Sequence, residues 1–340
     1  MIKTTVVGLD VGRSATKVVA AHNGVFTRFI FPSIVAPAID IAIKEVAERA
    51  ELETVTVAGK SYFTGETASV QGRVNMSLGL SDDWTDTTPY LVLVASAMKR
   101  LAQRGVPGLE APYVVTGTPS KLFRSHREAL ARRTLEVVSA ETVKVLPQPM
   151  GAFSSFAMDH RGMTIKERHR DAGGAPLSWA VIEVGHFTTD FLLMRKGVYV
   201  EAGSISCEGI HVAVDDLVRR LAAKGFKINH IEAEEILRTK AIKHFGKIHD
   251  VSAEVDLAID TIASTIQISA NTLLAEEARR LDGVLLAGGG GAFILEAMKK
   301  QWPNTRLVDD PRMSVADGYC RFGVGAVAKR AIGTLEAARV

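Results

Sequence analysis

The chain has 340 residues, of which 47% are hydrophobic, 23% charged and 6% aromatic, the profile of a globular α/β protein that buries one large core or two moderate ones. A formal net charge of +3 is too small to imply a nucleic-acid partner, and no basic run is interleaved with aromatics. No apolar stretch approaches the length of a membrane span. Cys207 and Cys320 lie far apart without metal-ligand spacing, and the short apolar stretch between Lys3 and Asp10 does not read as a signal peptide, so a soluble protein in a reducing cytoplasm is expected.

In chain order, strand-like runs at 4–9, 17–21 and 25–30 predict an opening antiparallel sheet, with Asn23-Gly24 as a hairpin turn. Between 32 and 88 the periodicity is broken by Pro, Gly and polar clusters, as in a small inserted subdomain. Leu91, Val94, Ala95, Met98 and Leu101 have helical spacing within 89–104. A buried strand at 113–116, a helix at 121–133, at least one strand within 135–146 and a helix at 151–158 complete the first half. The mixed charges of 161–170 read as an exposed loop. Strands then recur at 179–184, 189–194 and 198–202, followed by a helix after Gly209. Lys240, Lys243, His244, Lys247 and His249 read as a solvated basic face. Val255, Ile259, Ile262, Ile266 and Leu273 form one stripe of a long helix over 253–280. Helices at 291–301 and 314–330 close the chain. The boundaries predicted are 1–155, with the small subdomain inside it at 32–88, then 156–311, then a returning helix at 312–340.

Two segments carry the chemistry. Gly8-Leu9-Asp10-Val11-Gly12-Arg13-Ser14-Ala15-Thr16-Lys17 follows one buried run, and Glu183-Val184-Gly185-His186-Phe187-Thr188-Thr189-Asp190 follows another. Each gives a carboxylate, a glycine fit for a tight hairpin, hydroxyls and a second apolar run. Backbone N–H groups at such turns face phosphate oxygens, and a carboxylate at the strand end holds a hydrated magnesium ion. A lone buried Asp10 also serves as a hairpin cap, so both roles stand at this point. A third element, Val284 to Gly291, ends a buried strand in four glycines and opens a helix. Gly288, Gly289 and Gly290 let backbone approach a ligand closely.

This order of elements resembles the actin, sugar-kinase and chaperone ATPase superfamily, and within it the bacterial and archaeal actin-like proteins of the ParM/StbA plasmid-segregation type. The Ala58-Gly59-Lys60-Ser61-Tyr62-Phe63-Thr64-Gly65-Glu66-Thr67-Ala68 segment is similar to that family's small-subdomain motif. So are Val114 to Pro119, Leu146-Pro147-Gln148-Pro149-Met150-Gly151-Ala152, and the stretch from Asp310-Pro311 to Tyr319. The resemblance implies an actin-like α/β fold: two related α/β domains, a nucleotide cleft between them and a small inserted subdomain. It implies ATP or ADP with Mg2+ as ligands, and head-to-tail self-association into filaments. A centromere-binding adaptor is the further partner implied, with neither direct nucleic-acid binding nor a membrane.

Residue by residue, the resemblance gives Asp10 and Glu183 to metal, Glu183 standing where the family usually has Asp. Gly12, Ser14 and Lys17 face phosphates, Arg13 sits beside them with an open role, and Gly185 and Thr188 serve the second loop. His186 stands where glycine is common, either as a tolerated loop residue or as a catalytic histidine. Gln148 matches the position beside the attacking water; an amide between two prolines is its plain structural alternative. Gly209 packs beside the sugar. Glu235 and Arg238, with Lys240 as rival, resemble a helix flanking the base, though surface charges three residues apart explain them equally. Two other functions remain open: a small-molecule kinase of the same superfamily, and a nucleotide-dependent scaffold that scarcely hydrolyses ATP.

Overall fold

The structure, a computed structural model, describes residues 4–72, 83–274 and 277–337. It divides into two compact units, Met1–Leu177 with Val308–Val340, and Ser178–Leu307. Parts of the predicted small subdomain (73–82) and of the predicted helix end (275–276) lie outside the described residues.

In the first unit, the N-terminal apolar runs form β1 (Val6–Val11), β2 (Ala15–His22) and β3 (Val25–Pro32), joined antiparallel. All six residues of β1 are buried, the continuous apolar reading of a strand covered on both faces. Asn23 and Gly24 make the β2–β3 turn at φ of 49° and 83°, the positive values a tight hairpin needs. The inserted segment contains β4 (Val35–Pro37), β5 (Thr54–Val57) and β6 (Lys60–Thr64) in a three-stranded sheet, with α1 (Lys44–Glu51) and α2 (Gly65–Gln71). The broken periodicity read over 32–88 does not mark α1, in which only Ala50 is buried.

The helix α3 (Thr88–Gln103) begins with Pro89 in its first turn and is capped by Thr87, whose hydroxyl accepts the Tyr90 N–H. Parallel strands β7 (Tyr113–Thr118) and β8 (Thr142–Pro147) extend the main sheet to the order β3-β2-β1-β7-β8. The helix α4 (Phe123–Leu135) connects them, and α5 (Gln148–Ala157) follows β8 directly. Residues 158–177 stay with this unit. The Ile165 N–H donates to the Ala157 carbonyl, Met158 bridges Thr164, and a short helix α6 (Lys166–His169) replaces the loop predicted there.

The second unit repeats the plan. Antiparallel β9 (Trp179–Val184), β10 (Thr188–Arg195) and β11 (Val198–Val200) are followed in space by the later parallel strands, giving a sheet path that matches the first. A short β12 (Ser206–Glu208) also pairs with β10. Helices α7 (His211–Ala223), α8 (His230–Thr239) and α9 (Ser252–Leu274) cover a core that includes Ile182, Val184, Val214, Leu217, Ile262 and Leu286. The segment read as a solvated basic face is a hairpin of β13 (Ala241–His244) and β14 (Lys247–Asp250). After β15 (Gly283–Ala287) come α10 (Gly291–Gln301) and β16 (Thr305–Leu307). The chain then returns to the first unit through α11 (Ser314–Ala337), which packs on α5 and β1 with Tyr319 and Cys320 fully buried.

Candidate functional site

The two hairpins share one register. Asp10 lies opposite Lys17 and Val11 opposite Thr16; Glu183 lies opposite Asp190 and Val184 opposite Thr189. Both carboxylates therefore fall on the strand two residues before a turn glycine. A Cβ at Gly12 would meet the Ala15 carbonyl at 2.9 Å, and one at Gly185 would meet the Thr188 carbonyl at 2.9 Å. Both turns require glycine for the same steric reason.

In the first hairpin, Asp10 is 5% exposed and doubly held. Lys17 Nζ lies 3.0 Å from Asp10 Oδ2, and the Gln148 amide nitrogen donates to Asp10 Oδ1 at 3.3 Å. Gln148 reaches Asp10 because it is the first residue of α5, with Pro149 beside it in the helix's first turn, where proline's missing N–H costs nothing. A Cβ at Gly12 would also lie 3.0 Å from Lys17 Nζ, so the glycine keeps the space beside the ammonium clear. Ser14 and Arg13 lie in the turn itself. Tyr90 is wholly buried; burial, with the nearby Asp10 charge, pushes its phenol above the ordinary value although its hydroxyl bonds to Thr116. Sequence reasoning missed Trp84, whose indole N–H donates to the Val11 carbonyl at 3.2 Å while the Arg13 guanidinium lies over its ring at 5.3 Å. Nothing local in the sequence marks Trp84 as a prop for a turn so far away in the chain.

In the second hairpin, Glu183 is 6% exposed and lies between two glycines. A Cβ at Gly288 would meet Glu183 Oε1 at 2.4 Å, and one at Gly185 would lie 3.6 Å from Oε2. The extra methylene of Glu relative to Asp is thus accommodated in the space that Gly288 leaves open, at φ +78°. Gly290 caps the start of α10 and donates its N–H to the Val184 carbonyl. Gly289 is exposed between them. Asp190, opposite Glu183, is fully buried and accepts from Thr188 Oγ1 at 2.7 Å and Ser206 Oγ at 2.5 Å. Thr188 is therefore turned toward Asp190, a partner the sequence did not reveal.

Gly209 packs beneath this turn: its N–H donates to the Phe187 carbonyl at 2.9 Å, and a Cβ there would meet the His186 oxygen at 2.6 Å. His186 Nδ1 lies 2.7 Å from Glu234 Oε1. Of the residues proposed to flank a base, Glu235 and Arg238 lie on the exposed side of α8. Lys240 caps that helix at φ 54° and its Nζ lies 2.6 Å from Asp256, so its charge is already engaged. Glu234, not Glu235, is the acid of this helix that reaches the hairpin. The only sequence hint is that Glu234 borders the buried stripe Ala233, Ile236 and Leu237.

In each hairpin taken by itself, the strand-end carboxylate (Asp10 in one unit, Glu183 in the other) offers the oxygen donors a hard cation takes, beside a turn glycine. Among the described residues no three His, Cys, Asp or Glu side chains converge to hold a metal alone. Magnesium commonly takes one or two carboxylates and completes its shell with water and phosphate oxygens. Among the described residues, no helix is long and apolar enough to cross a membrane.

The family model of actin-like protein N-terminal domains matches residues 8–151, and that of the archaeal actin homologue MreB-like C-terminal domain matches residues 181–300. Sequence comparison with curated proteins finds no match. Among solved structures, the chain is similar to a 15-stranded ParM filament from Clostridium botulinum, at 22% identity and TM-score 0.75, over 94% of this chain and 99% of that one. It is similar to the archaeal actin homolog Ta0583 in complex with ADP, at 22% identity and TM-score 0.71, over 96% and 99%. The MamK double helical filament matches at 19% identity and TM-score 0.67, over 96% and 99%. The actin-like fold expected from the motifs is the fold found.

Proposed function

Because the chain belongs to the actin-like proteins, we propose that it binds a magnesium–adenine nucleotide, hydrolyses the terminal phosphate and assembles head to tail into filaments. The observation that carries this reading is the repeated hairpin: two sheets of one strand order, each with a buried carboxylate two residues before an obligatory turn glycine. Asp10 and Glu183 would hold the hydrated metal, which supplies charge neutralisation on the phosphates when bound. The turns 12–15 and 185–188 present backbone N–H groups to phosphate oxygens. Lys17, kept close to Asp10, adds a fixed positive charge at the same place.

Gln148 is the residue we assign to the attacking water. Its amide already donates to Asp10, which fixes its orientation and leaves its carbonyl oxygen as the acceptor for a water proton. Such a group positions water without taking its proton, so turnover is slow. Gly288 to Gly290 and the exposed face of α8 with Glu235 and Arg238 receive the nucleoside. Filaments of this kind suit plasmid segregation in the cytoplasm, with an adaptor protein linking polymer to DNA. The packing of Glu183 against Gly288 favours one second reading, a nucleotide-dependent scaffold whose metal is poorly placed for hydrolysis.

Phosphate release and light scattering, recorded together after adding magnesium–ATP, test the proposal. Scattering that rises and then decays as phosphate accumulates is the expected result. A stable rise with negligible phosphate selects the scaffold. No change in either signal, or phosphate transfer to an added small molecule, overturns the filament ATPase.

A further inference from the structure

We propose that the His186–Glu234 pair carries the state of the second hairpin to helix α8, a positioning role that rests on the nucleotide reading above. His186 occupies the turn position that corresponds to Arg13 in the first hairpin. Its side chain is 10% exposed and its Nδ1 lies 2.7 Å from Glu234 Oε1, on a side chain 19% exposed. A short imidazole–carboxylate bond is directional and weakens steeply with distance. Glu234 therefore follows a displacement of the turn and does not absorb it.

The same residue is also held by its backbone. The His186 carbonyl accepts the His211 backbone N–H at 2.8 Å and faces His211 Nδ1 at 3.2 Å, while His211 Nε2 lies 3.1 Å from Glu208. These bonds tie the turn to the start of α7. The imidazole side chain instead reaches α8 directly, through Glu234. That helix is stiff at its start, where Asn229 and Glu232 form a reciprocal capping box. At its end, Lys240 leads straight into the β13–β14 hairpin, whose tip residue Phe245 is 94% exposed. A shift entering at Glu234 thus has a short, ordered route to an exposed apolar tip. The first hairpin has a different arrangement: Arg13 lies over the Trp84 ring, so this link belongs to the second hairpin.

Coupling of this kind is a free energy shared between two places, visible when one is occupied and the other is watched. The test is amide hydrogen exchange on the full chain, without ligand and with magnesium–ADP. In the wild type, ligand should slow exchange about threefold or more both at 183–190 and at 230–239. In His186→Ala and in Glu234→Ala, protection at 183–190 should persist while that at 230–239 falls at least about twofold, to the part that direct nucleoside contact supplies. His186→Gln keeps an N–H donor and should restore much of it. Combining the two alanine changes should add nothing further, because both break one link. If His186→Ala does not fold, Glu234→Ala poses the same question from the helix side. Protection at 230–239 that is undiminished in Glu234→Ala overturns the coupling alone. A wild type protected at neither segment overturns the nucleotide reading, and the coupling with it.

Discussion

The two hairpins have the same backbone and opposite chemistry. Across the strands, Asp10 faces a lysine whereas Glu183 faces a second acid, Asp190. The first pair is an ion pair at 3.0 Å, with Lys17 still 17% exposed and adjacent to the turn. In the second, Asp190 is fully buried and satisfied by Thr188 and Ser206 hydroxyls. A buried carboxylate without such donors would be costly. The difference teaches that a duplicated scaffold preserves what the backbone demands, the turn glycine and the strand-end acid. What stands opposite is free to diverge. One half keeps a cation beside the turn; the other turns its opposing residue into a buried internal strut.

The largest effect expected comes from the element that only the second unit has. Gly288→Ala places a Cβ 2.4 Å from both Glu183 Oε1 and the Val184 carbonyl, at a φ of +78°. We expect a stability loss of about 4 kcal/mol in urea unfolding. In the first unit, β7 is followed by Pro119, so no equivalent substitution exists there.

Next come the opposing residues. Asp190→Ala strands two hydroxyls in the interior and should cost about 2 kcal/mol of stability. Lys17→Ala leaves the buried Asp10 held by the Gln148 amide at 3.3 Å and should cost about 1 kcal/mol while weakening nucleotide binding. Equal stability losses in the two variants would break the contrast drawn above. Gly12→Ala and Gly185→Ala, which meet carbonyls at the same 2.9 Å, should by contrast destabilise alike, by about 1 kcal/mol each.

A purely kinetic effect is expected at Gln148. Gln148→Ala should keep nucleotide affinity while phosphate release slows about tenfold, equivalent to about 1.4 kcal/mol of barrier. Loss of affinity in step with turnover would reassign Gln148 to a structural role.

The smallest effect concerns another paired acid, Glu53, outside both hairpins. Burial alone would raise its carboxyl, but hydrogen bonds from Thr67 and Arg100 and the Arg100 charge outweigh it and hold the group below the ordinary carboxylate range. A depressed folded value means that the stabilisation is present above the unfolded carboxylate range and is lost as pH falls through the folded value. Glu53→Gln should therefore lower the melting temperature at neutral pH and converge with the wild type in acid, which flattens the acid side of the profile. An unchanged acid limb would remove Glu53 from the account of acid stability.

Much of this was legible in the sequence because the decisive signals are local. Buried runs ending in Asp10-Val11-Gly12 and Glu183-Val184-Gly185 announce strand and turn together, and the glycines after β15 do the same. The partners were not legible, since they arrive from elsewhere in the fold. Trp84 under Val11, Ser206 on Asp190 and Glu234 on His186 leave no pattern near the residues they hold. One element difference has an equally physical cause. The start of α5 was set too late because Pro149 reads as a break, though it is well tolerated in a first turn. By compactness the first unit continues to Leu177, past the 155/156 boundary expected from the sequence. Bonds such as those from Arg321 to the Ser155 and Met158 carbonyls tie the segment after α5 to the last helix, and composition does not encode them.

Calorimetric titration of magnesium–ATP into the wild type, Asp10→Ala and Glu183→Ala asks most directly whether both hairpins serve one nucleotide. An affinity loss of at least about tenfold in each variant, or about 1.4 kcal/mol, is the predicted result. Wild-type affinity in either folded variant would contradict it, leaving that hairpin a structural copy without a ligand.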